Sequence, residues 1–285
     1  MIRLIGFLKV VAVFLLDFSI ICYLSDSALT AIVIIGGMAL YALLGGYLTL
    51  IREGAIRSDK LPDYEKHLLD AAGIQLKEDV RKFSSADISG LKLYLIPEKD
   101  ELQAVSYGAC CIGITRGMLN VTDPVTLNAV LAHEISHALN FDAEFNRTVF
   151  CSVIFLVGIF SVFSAVAMII LFLLFLLLKG FRSWLGIMVF RKAKGTFGCI
   201  FRLIQKMIVG LYRFLLSLAS RHAEYRSDMY SCKLGYGVQL AHFLAVMDSS
   251  SHQQTSRIEA LYRSHPPAEK RIARLEKYYK SENQL

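Results

Sequence analysis

Three long apolar runs constrain the fold of this chain more than any other feature of its sequence. Residues 4–24 and 28–51 are each about as long as a bilayer-spanning helix requires, roughly 20 residues. Only a short polar turn, residues 25–27, separates them, so they predict a hairpin. A third run, residues 149–178, carries no charge. Hydrophobic residues make up 55% of the chain, above the ~45–50% usual in soluble domains, so we expect an integral membrane protein.

A fourth apolar run, residues 197–219, is weaker because three basic residues interrupt it, namely Arg202, Lys206 and Arg213. It either crosses the membrane or lies along its surface as a basic amphipathic helix. The first run has an alternative interpretation as well, since a basic start before an apolar stretch is also typical of a cleaved signal peptide. A second run follows at once, which favours a retained hairpin. We therefore expect about four transmembrane helices.

Basic residues flank the hairpin at its two ends, at Arg3, Lys9, Arg52, Arg57 and Lys60. By the positive-inside rule, both ends and the soluble region after residue 52 should face the cytoplasm. This predicts a multi-pass protein of the cell (plasma or inner) membrane. The net charge of +7 is interpreted in the same way, as attraction to phospholipid head groups, and no nucleic-acid partner is expected.

The soluble segments combine helices with short strands. A helix is predicted over residues 61–73, from a proline near its start and a glycine at its end. Turn residues separate three strand-like runs, which predicts a small antiparallel sheet. The runs are residues 91–96, 103–107 and 110–115. The last predicted helix follows the sequence HPP and should bury an apolar stripe, Ile272, Leu275 and Tyr279.

The helix predicted to begin at Pro124 carries the segment HEISH, residues 133–137. Residues four apart face the same way on a helix, so His133 and His137 can present two imidazoles to one ion, with Glu134 beside them. Zinc suits two neutral histidines, and a catalytic site needs one further protein ligand and an open position for water. The metal lowers the pKa of that water from about 15.7 toward ~7. Glu134 can then act as the base during attack on a peptide carbonyl.

The third ligand should come from a distant segment, because no further histidine follows His137 at a suitable spacing. The best candidate is SRHAEYRSD, residues 220–228. On a helix, Glu224 could bind the metal while Asp228 accepts a hydrogen bond from a ligand histidine. A solvated helix face is the alternative for this pair, and His222 is a rival ligand on another face.

Several motifs in order resemble the HtpX family of membrane zinc metallopeptidases, which are M48 peptidases related to the Ste24 CAAX-type proteases. The motifs are the apolar hairpin, GITRGMLNV, HEISHALNFD, two further apolar runs, SRHAEYRSD and SHPPAEKRIARL, and they cover nearly the whole chain. The resemblance implies an α+β membrane protein with a zincin-like metalloprotease domain and one Zn²⁺ per chain. It implies that Glu224 is the third zinc ligand and Asp228 its supporting carboxylate.

The same resemblance implies roles for two residues near the C-terminus. His265 would donate a hydrogen bond to the developing oxyanion. Arg271 would tie the C-terminal helix to the site electrostatically, unless it is a surface charge.

The family usually has an Asn-Ala-Phe-Ala type sequence on the strand beside the cleft. This chain has Gln103, Ala104, Val105 and Ser106 there. Peptidases of this kind bind substrate as an added β-strand, whose main-chain hydrogen bonds tolerate side-chain changes. We therefore expect substrate to bind along this strand, with Gln103 altering the fine specificity.

A shared ion also constrains the topology, because His137 and Glu224 can meet only if residues 138–223 cross the membrane an even number of times. The resemblance favours two crossings. The expected division is a transmembrane hairpin over 1–51, the two parts of a cytoplasmic catalytic domain over 52–148 and 220–285, and two membrane segments with a basic loop over 149–219.

The predicted function is that of a zinc metalloendopeptidase at the lipid bilayer, acting on misfolded or membrane proteins in stress-related quality control. One alternative is a Ste24-like processing protease for lipidated C-termini, for which the chain is short. Another is a catalytically silent zinc-binding membrane scaffold. Glu134 argues against the scaffold, since a structural zinc site needs no base.

Overall fold

The computed structural model describes residues 2–84, 87–98, 101–108, 111–177, 184–250 and 265–282. The chain forms two compact units. The first comprises Met1–Thr148 and Ser217–Leu285, and the second comprises Val149–Leu216.

Three helices among the described residues are long and apolar enough to cross a membrane. They are α1 (Ile2–Ser25), α2 (Ala28–Arg52) and α6 (Asp142–Leu177). The predicted hairpin is confirmed as two helices, whereas α6 begins seven residues before the apolar run that predicted it. The fourth predicted span lies within α7 (Trp184–Ser231) and is not among the three. Four crossings therefore stay a prediction.

In the second unit, residues 149–177 of α6 pack antiparallel to residues 184–216 of α7. Aromatic rings join the two helices at both ends of this pairing, Phe160 with Phe201 and Phe175 with Phe190, at centroid distances of 5.0 Å and 4.5 Å. Next to the Phe160–Phe201 pair, Gln205 donates a hydrogen bond to Ser161.

The first unit contains a four-stranded sheet whose strands lie in the order β1 (Ile56–Arg57), β2 (Lys92–Ile96), β4 (Cys111–Thr115), β3 (Ala104–Gly108). The prediction of a purely antiparallel sheet is wrong, because β2 and β4 pair in parallel. The chain reverses once between β2 and β3 and again in the hairpin from β3 to β4, so β4 returns in the direction of β2. This order leaves β3 at an edge of the sheet.

The helix predicted over residues 61–73 is longer than expected. It is α3 (Asp63–Phe83), and Gly73 lies in its interior instead of ending it. A β-carbon at Gly73 would lie 3.3 Å from Leu93 Cδ1, so the glycine serves close packing of α3 on β2. The apolar spacing that continues through Leu76 and Val80, both buried, extends the helix past the glycine.

The HEISH segment lies on α5 (Pro124–Leu139), which follows the short helix α4 (Arg116–Val121). Asp123 is the N-cap of α5, and its carboxylate accepts hydrogen bonds from the main-chain N–H groups of Val125 and Thr126. Twelve of the sixteen residues of α5 are buried. The HEISH segment is therefore part of the hydrophobic core of the first unit.

Two further helices of the first unit lie among the described residues, α8 (Gly237–Ser250) and α9 (Ala268–Glu282). Gly235 adopts a φ of +93°, a left-handed conformation that favours glycine, where the chain passes from α7 to α8. On α9, Leu275 is buried as predicted, but Tyr279 is half exposed and Tyr278 packs against the core in its place. Tyr278 lies two helical turns after the buried Arg271 and faces the same way, toward the core. Tyr279, one residue later, faces away from it.

Candidate metal centre

Two imidazoles and one carboxylate converge at the end of α5. His133 and His137 lie one turn apart on this helix, and their Nε2 atoms are 3.2 Å from each other. Glu224, on α7, places its Oε2 atom 3.5 Å from His133 Nε2 and its Oε1 atom 3.6 Å from His137 Nε2. One ligand atom from each residue lies within 4.8 Å of the others, so the three could hold a metal ion.

The distances between these ligand atoms, 3.2, 3.5 and 3.6 Å, are close to those of a zinc site. Ligand atoms about 2.0–2.1 Å from a tetrahedral zinc ion lie roughly 3.3–3.4 Å apart. Both Nδ1 atoms face carboxylates, at 3.0 Å for His133 and 2.9 Å for His137. When each Nδ1–H donates to its carboxylate, the two Nε2 lone pairs and the Glu224 oxygens point at one another. A cation between them removes that repulsion.

The carboxylate facing His133 belongs to Asp228, one helical turn after Glu224 on α7. Arg271 of α9 binds Asp228 through two hydrogen bonds, Nε to Oδ2 at 2.8 Å and Nη2 to Oδ1 at 2.5 Å. Its third nitrogen, Nη1, lies 2.9 Å from Glu224 Oε2. That contact is an ion pair without hydrogen-bond alignment, since Oε2 accepts no hydrogen bond from the described residues. Arg271 is buried and is therefore not a surface charge.

Burial and neighbouring charges shift the pKa values of His133 and Glu224 in opposite directions. Burial lowers the pKa of the His133 imidazole, but the carboxylates of Asp228 and Glu224 outweigh it and raise that pKa to about 9. Burial raises the pKa of Glu224, but His133 and His265 outweigh it and hold that pKa far below its usual range. Without a metal, the proton therefore stays on His133 at neutral pH and the carboxylate stays ionised.

The carboxylate facing His137 belongs to Asp142, the first residue of α6, which the sequence interpretation did not single out. Its Oδ2 atom accepts from His137 Nδ1 and from Arg226 Nη2, and its Oδ1 atom accepts from Lys9 Nζ at 2.5 Å. Asp142 is buried. Each histidine of HEISH thus has a carboxylate partner, and each carboxylate has a cationic partner.

Glu134 lies between the two histidines on α5 and faces the edge strand β3. Its Oε2 atom accepts a hydrogen bond from the main-chain N–H of Ser106 at 2.8 Å. This contact links the predicted base to the strand that was predicted to bind substrate.

Two further histidines were considered from sequence. His265 lies beside the site, with its Nδ1 atom 2.9 Å from Glu224 Oε1 and most of its side chain exposed. That contact raises the pKa of the His265 imidazole, because the ionised Glu224 stabilises its protonated form. His222 lines the same cavity but is not one of the three residues that converge.

A cavity of about 720 Å³ opens on these residues. Glu134, His265 and Arg271 line it, as do Gln103, Ala104, Val105 and Ser106. Apolar side chains of α8, Leu240, Phe243, Leu244 and Met247, line it as well. Every predicted site residue except Asp228, which is buried, therefore lines one cavity.

The family model of Peptidase family M48 matches residues 74–279, well over half of the chain. The chain belongs to peptidase family M48. Among the described residues, this M48 chain has three helices that are long and apolar enough to span a membrane.

One solved structure similar to this M48 peptidase is the crystal structure of S. mikatae Ste24p, with 20% sequence identity and a TM-score of 0.39. The similarity covers 90% of this chain and 65% of that chain, so this M48 peptidase spans less than two thirds of the Ste24p chain. No curated protein matches the sequence.

The site residues that sequence reasoning missed in this M48 peptidase are Lys9, Asp142 and Arg226. Asp142 had a usable signal, because it lies five residues after His137 at the end of the quoted motif HEISHALNFD. A carboxylate just past the helix end can fold back on a ligand histidine. Lys9 and Arg226 had none, since only the three-dimensional packing brings α1 and α7 to Asp142.

Proposed function

We propose that this M48 peptidase is a zinc metalloendopeptidase of the HtpX type. The observation that carries the proposal is the convergence of three acceptor atoms, from His133, His137 and Glu224, next to the carboxylate of Glu134. When bound, zinc would lower the pKa of a coordinated water and polarise the peptide carbonyl. A silent scaffold would not need a carboxylate at the position of Glu134.

The role of Glu134 is proton transfer. The Ser106 N–H fixes one oxygen of this carboxylate, and the other is left to accept a proton from the attacking water. As the water oxygen bonds to the carbonyl carbon, that proton moves to Glu134. When the C–N bond breaks, Glu134 gives the proton to the leaving amine.

His265 is proposed to donate a hydrogen bond to the oxyanion. Its Nδ1 atom is held by Glu224, so the Nε2–H group on the other side of the ring remains as a donor. A protonated imidazole, favoured by the Glu224 contact, stabilises negative charge on oxygen better than a neutral one.

Substrate is proposed to bind along residues 103–106 as an added strand. Main-chain groups of successive residues in a strand point to opposite sides, so those of every second residue point to the same side. Ser106 directs its N–H away from β4 and toward Glu134, so Ala104, two residues earlier, directs its N–H and C=O to the same open side. A peptide paired with Ala104 would lie beside Glu134.

The cellular role remains a proposal of the same kind. We place the peptidase in the cell membrane as a multi-pass protein, with its catalytic domain on the cytoplasmic side, as the basic residues that flank the hairpin indicate. Misfolded or membrane proteins are its proposed substrates, because unfolded segments can offer an extended strand to β3. Four crossings would return the chain to the side on which His137 and Glu224 meet.

The experiment is cleavage of casein, an unfolded polypeptide, by the purified full chain in detergent. We expect cleavage by the wild type, loss on zinc chelation and recovery on zinc addition. Glu134→Gln should bind zinc but lower kcat by at least ~100-fold, as expected for removal of a general base. Glu276→Gln, an exposed glutamate on α9, is the matched control. Cleavage that survives chelation, or that Glu134→Gln retains, rules out the proposed mechanism.

A further inference from the structure

We propose that Lys9, on the membrane helix α1, and Asp142 act together as a positioning pair that orients His137 for metal binding. The inference rests on the proposed zinc peptidase function. It makes the first membrane helix a component of the active site, beyond its role as an anchor.

The turn between α5 and α6 brings Asp142 to His137. Asn140 caps the end of α5, and Phe141 adopts a φ of 55°, a left-handed conformation uncommon for a residue with a side chain. Asp142 is five residues after His137 in the sequence. Because of this sharp reversal, its Oδ2 atom lies 2.9 Å from His137 Nδ1.

The carboxylate of Asp142 divides its two oxygens between different partners. Oδ2 accepts from His137 and Arg226, while Oδ1 accepts only from Lys9 among the contacts that the described residues make. Holding Oδ1 fixes the plane of the carboxylate, and that plane determines where Oδ2 meets the imidazole. Lys9 therefore orients His137 through Asp142.

Helix α1 contacts the whole turn and not only its carboxylate. A β-carbon at Gly6 would lie 2.5 Å from the carbonyl oxygen of Asn140, so the two backbones are in direct contact. The ring of Phe7 meets that of Phe141 edge-on at 6.2 Å between centroids. Lys9 Nζ also lies 5.0 Å from the centre of the Phe145 ring, a favourable cation–π geometry.

A lysine in an apolar membrane helix is expected to have a partner for its charge, because burying an unpaired ammonium there is costly. Lysines near a helix end often extend toward the lipid head groups. Lys9 instead lines the cavity together with His137 and Asp142, and its ammonium lies 2.5 Å from the Asp142 carboxylate. The charge is therefore directed into the site.

The test compares zinc affinity and turnover of the full-length wild type with Lys9→Met, Lys9→Arg and Asp142→Asn. Mutation of a residue that hydrogen-bonds to a ligand histidine typically lowers metal affinity 10–100-fold. We expect Asp142→Asn to fall in that range and Lys9→Met to lose about tenfold, with kcat reduced and KM nearly unchanged. Lys9→Arg should recover most of the loss, because it restores a cation at the same place. Lys60→Met, an exposed lysine beyond the hairpin, is the control and should behave as wild type.

A second measurement separates positioning from folding. Cobalt substituted for zinc reports the ligand geometry through its visible absorption, and we expect Lys9→Met to shift that spectrum while its helix content stays that of the wild type. Wild-type zinc affinity and spectrum in Lys9→Met would overturn the inference, as would an equal loss in Lys9→Arg. If the wild type itself binds no zinc, the proposed function fails instead, so the two failures are distinguishable.

Discussion

The two histidines of HEISH are supported in the same way by different parts of the molecule. On the His133 side, the carboxylate is Asp228 and its cation is Arg271, both from the C-terminal part of the chain. On the His137 side, the carboxylate is Asp142, and one of its cations, Lys9, comes from α1, one of the candidate membrane-spanning helices. We name these the soluble side and the membrane side of the site. Both histidines are thus supported by the same arrangement, in which the imidazole contacts a carboxylate and the carboxylate contacts a cation.

The two sides differ in how many cations they use. On the soluble side, the single Arg271 serves both Asp228 and Glu224 and is buried. On the membrane side, Lys9 and Arg226 share one carboxylate, and their side chains are about a third exposed, 29% and 32%. Exposed charges are partly stabilised by water, whereas a buried carboxylate without its cation is not. The soluble side should therefore be the less tolerant of losing one cation.

The largest expected effect is on the soluble side. Arg271→Met should lower the free energy of unfolding of the metal-free protein by about 3–5 kcal/mol, the usual cost of leaving a buried ionised partner unpaired. Thermal unfolding followed by circular dichroism in detergent measures it. Arg226→Met should cost clearly less, because Lys9 remains on Asp142.

The control for Arg271→Met is Lys270→Met, which removes a neighbouring exposed charge on α9. It should change stability by less than ~0.5 kcal/mol, as surface substitutions usually do. Equal losses in Arg271→Met and Arg226→Met would remove the distinction between the two sides.

An intermediate effect is expected where α1 meets the turn after α5. Gly6→Ala places a methyl group 2.5 Å from the carbonyl oxygen of Asn140. The backbones must separate, at a cost of about 1–3 kcal/mol. Separation also moves Lys9 away from Asp142, so zinc affinity should fall together with stability. Both are measured on the purified full chain.

Gly37→Ala is the matched control in the same hairpin, since a β-carbon there meets nothing within 4 Å. It should be neutral or slightly stabilising, because alanine is the better helix former by about 1 kcal/mol. If Gly6→Ala keeps wild-type zinc affinity, the membrane side does not depend on close docking of α1.

The smallest effect is a pH dependence of the soluble side. The pKa of His133 in the folded, metal-free protein is raised from 6.5 to about 9. Its stabilising contribution is therefore complete below pH 6.5 and declines as the pH rises toward 9. Between pH 7 and pH 8 the free energy of unfolding should fall by about 1 kcal/mol.

The zinc-bound protein provides the contrast, because His133 is neutral when it is a ligand and has no proton to lose. Its thermal unfolding should not show this decline. A metal-free protein whose stability stays constant from pH 7 to pH 8 would mean that the carboxylates do not hold a proton on His133.

Sequence patterns predicted the helix that carries HEISH because helical spacing is local, and a helix was assumed for residues 220–228. The same spacing placed Asp228 one turn from Glu224. The strands of the sheet were predicted but their pairing was wrongly predicted as antiparallel throughout, since the parallel pairing of β2 with β4 depends on the path of the chain between them. Tyr279 was misplaced because two adjacent tyrosines lie in the last turns of α9, and the pattern does not show which one faces the core.

The membrane side of the site was beyond prediction for a physical reason. Lys9 was interpreted as a topological charge, which the positive-inside rule explains by itself. Its partner lies 133 residues away in sequence. The contact depends on Gly6 letting α1 approach the backbone of Asn140, and a single glycine in an apolar helix is too common to indicate such an approach.

The most direct test of the account is the zinc content of the purified full chain, measured by elemental mass spectrometry for the wild type and for Glu224→Ala. Glu224 is the one ligand that both sides share, since its two oxygens face His133 and His137. We expect about one zinc per chain in the wild type and a much lower zinc content in Glu224→Ala. A wild type without metal, or the same metal load in both proteins, would contradict it.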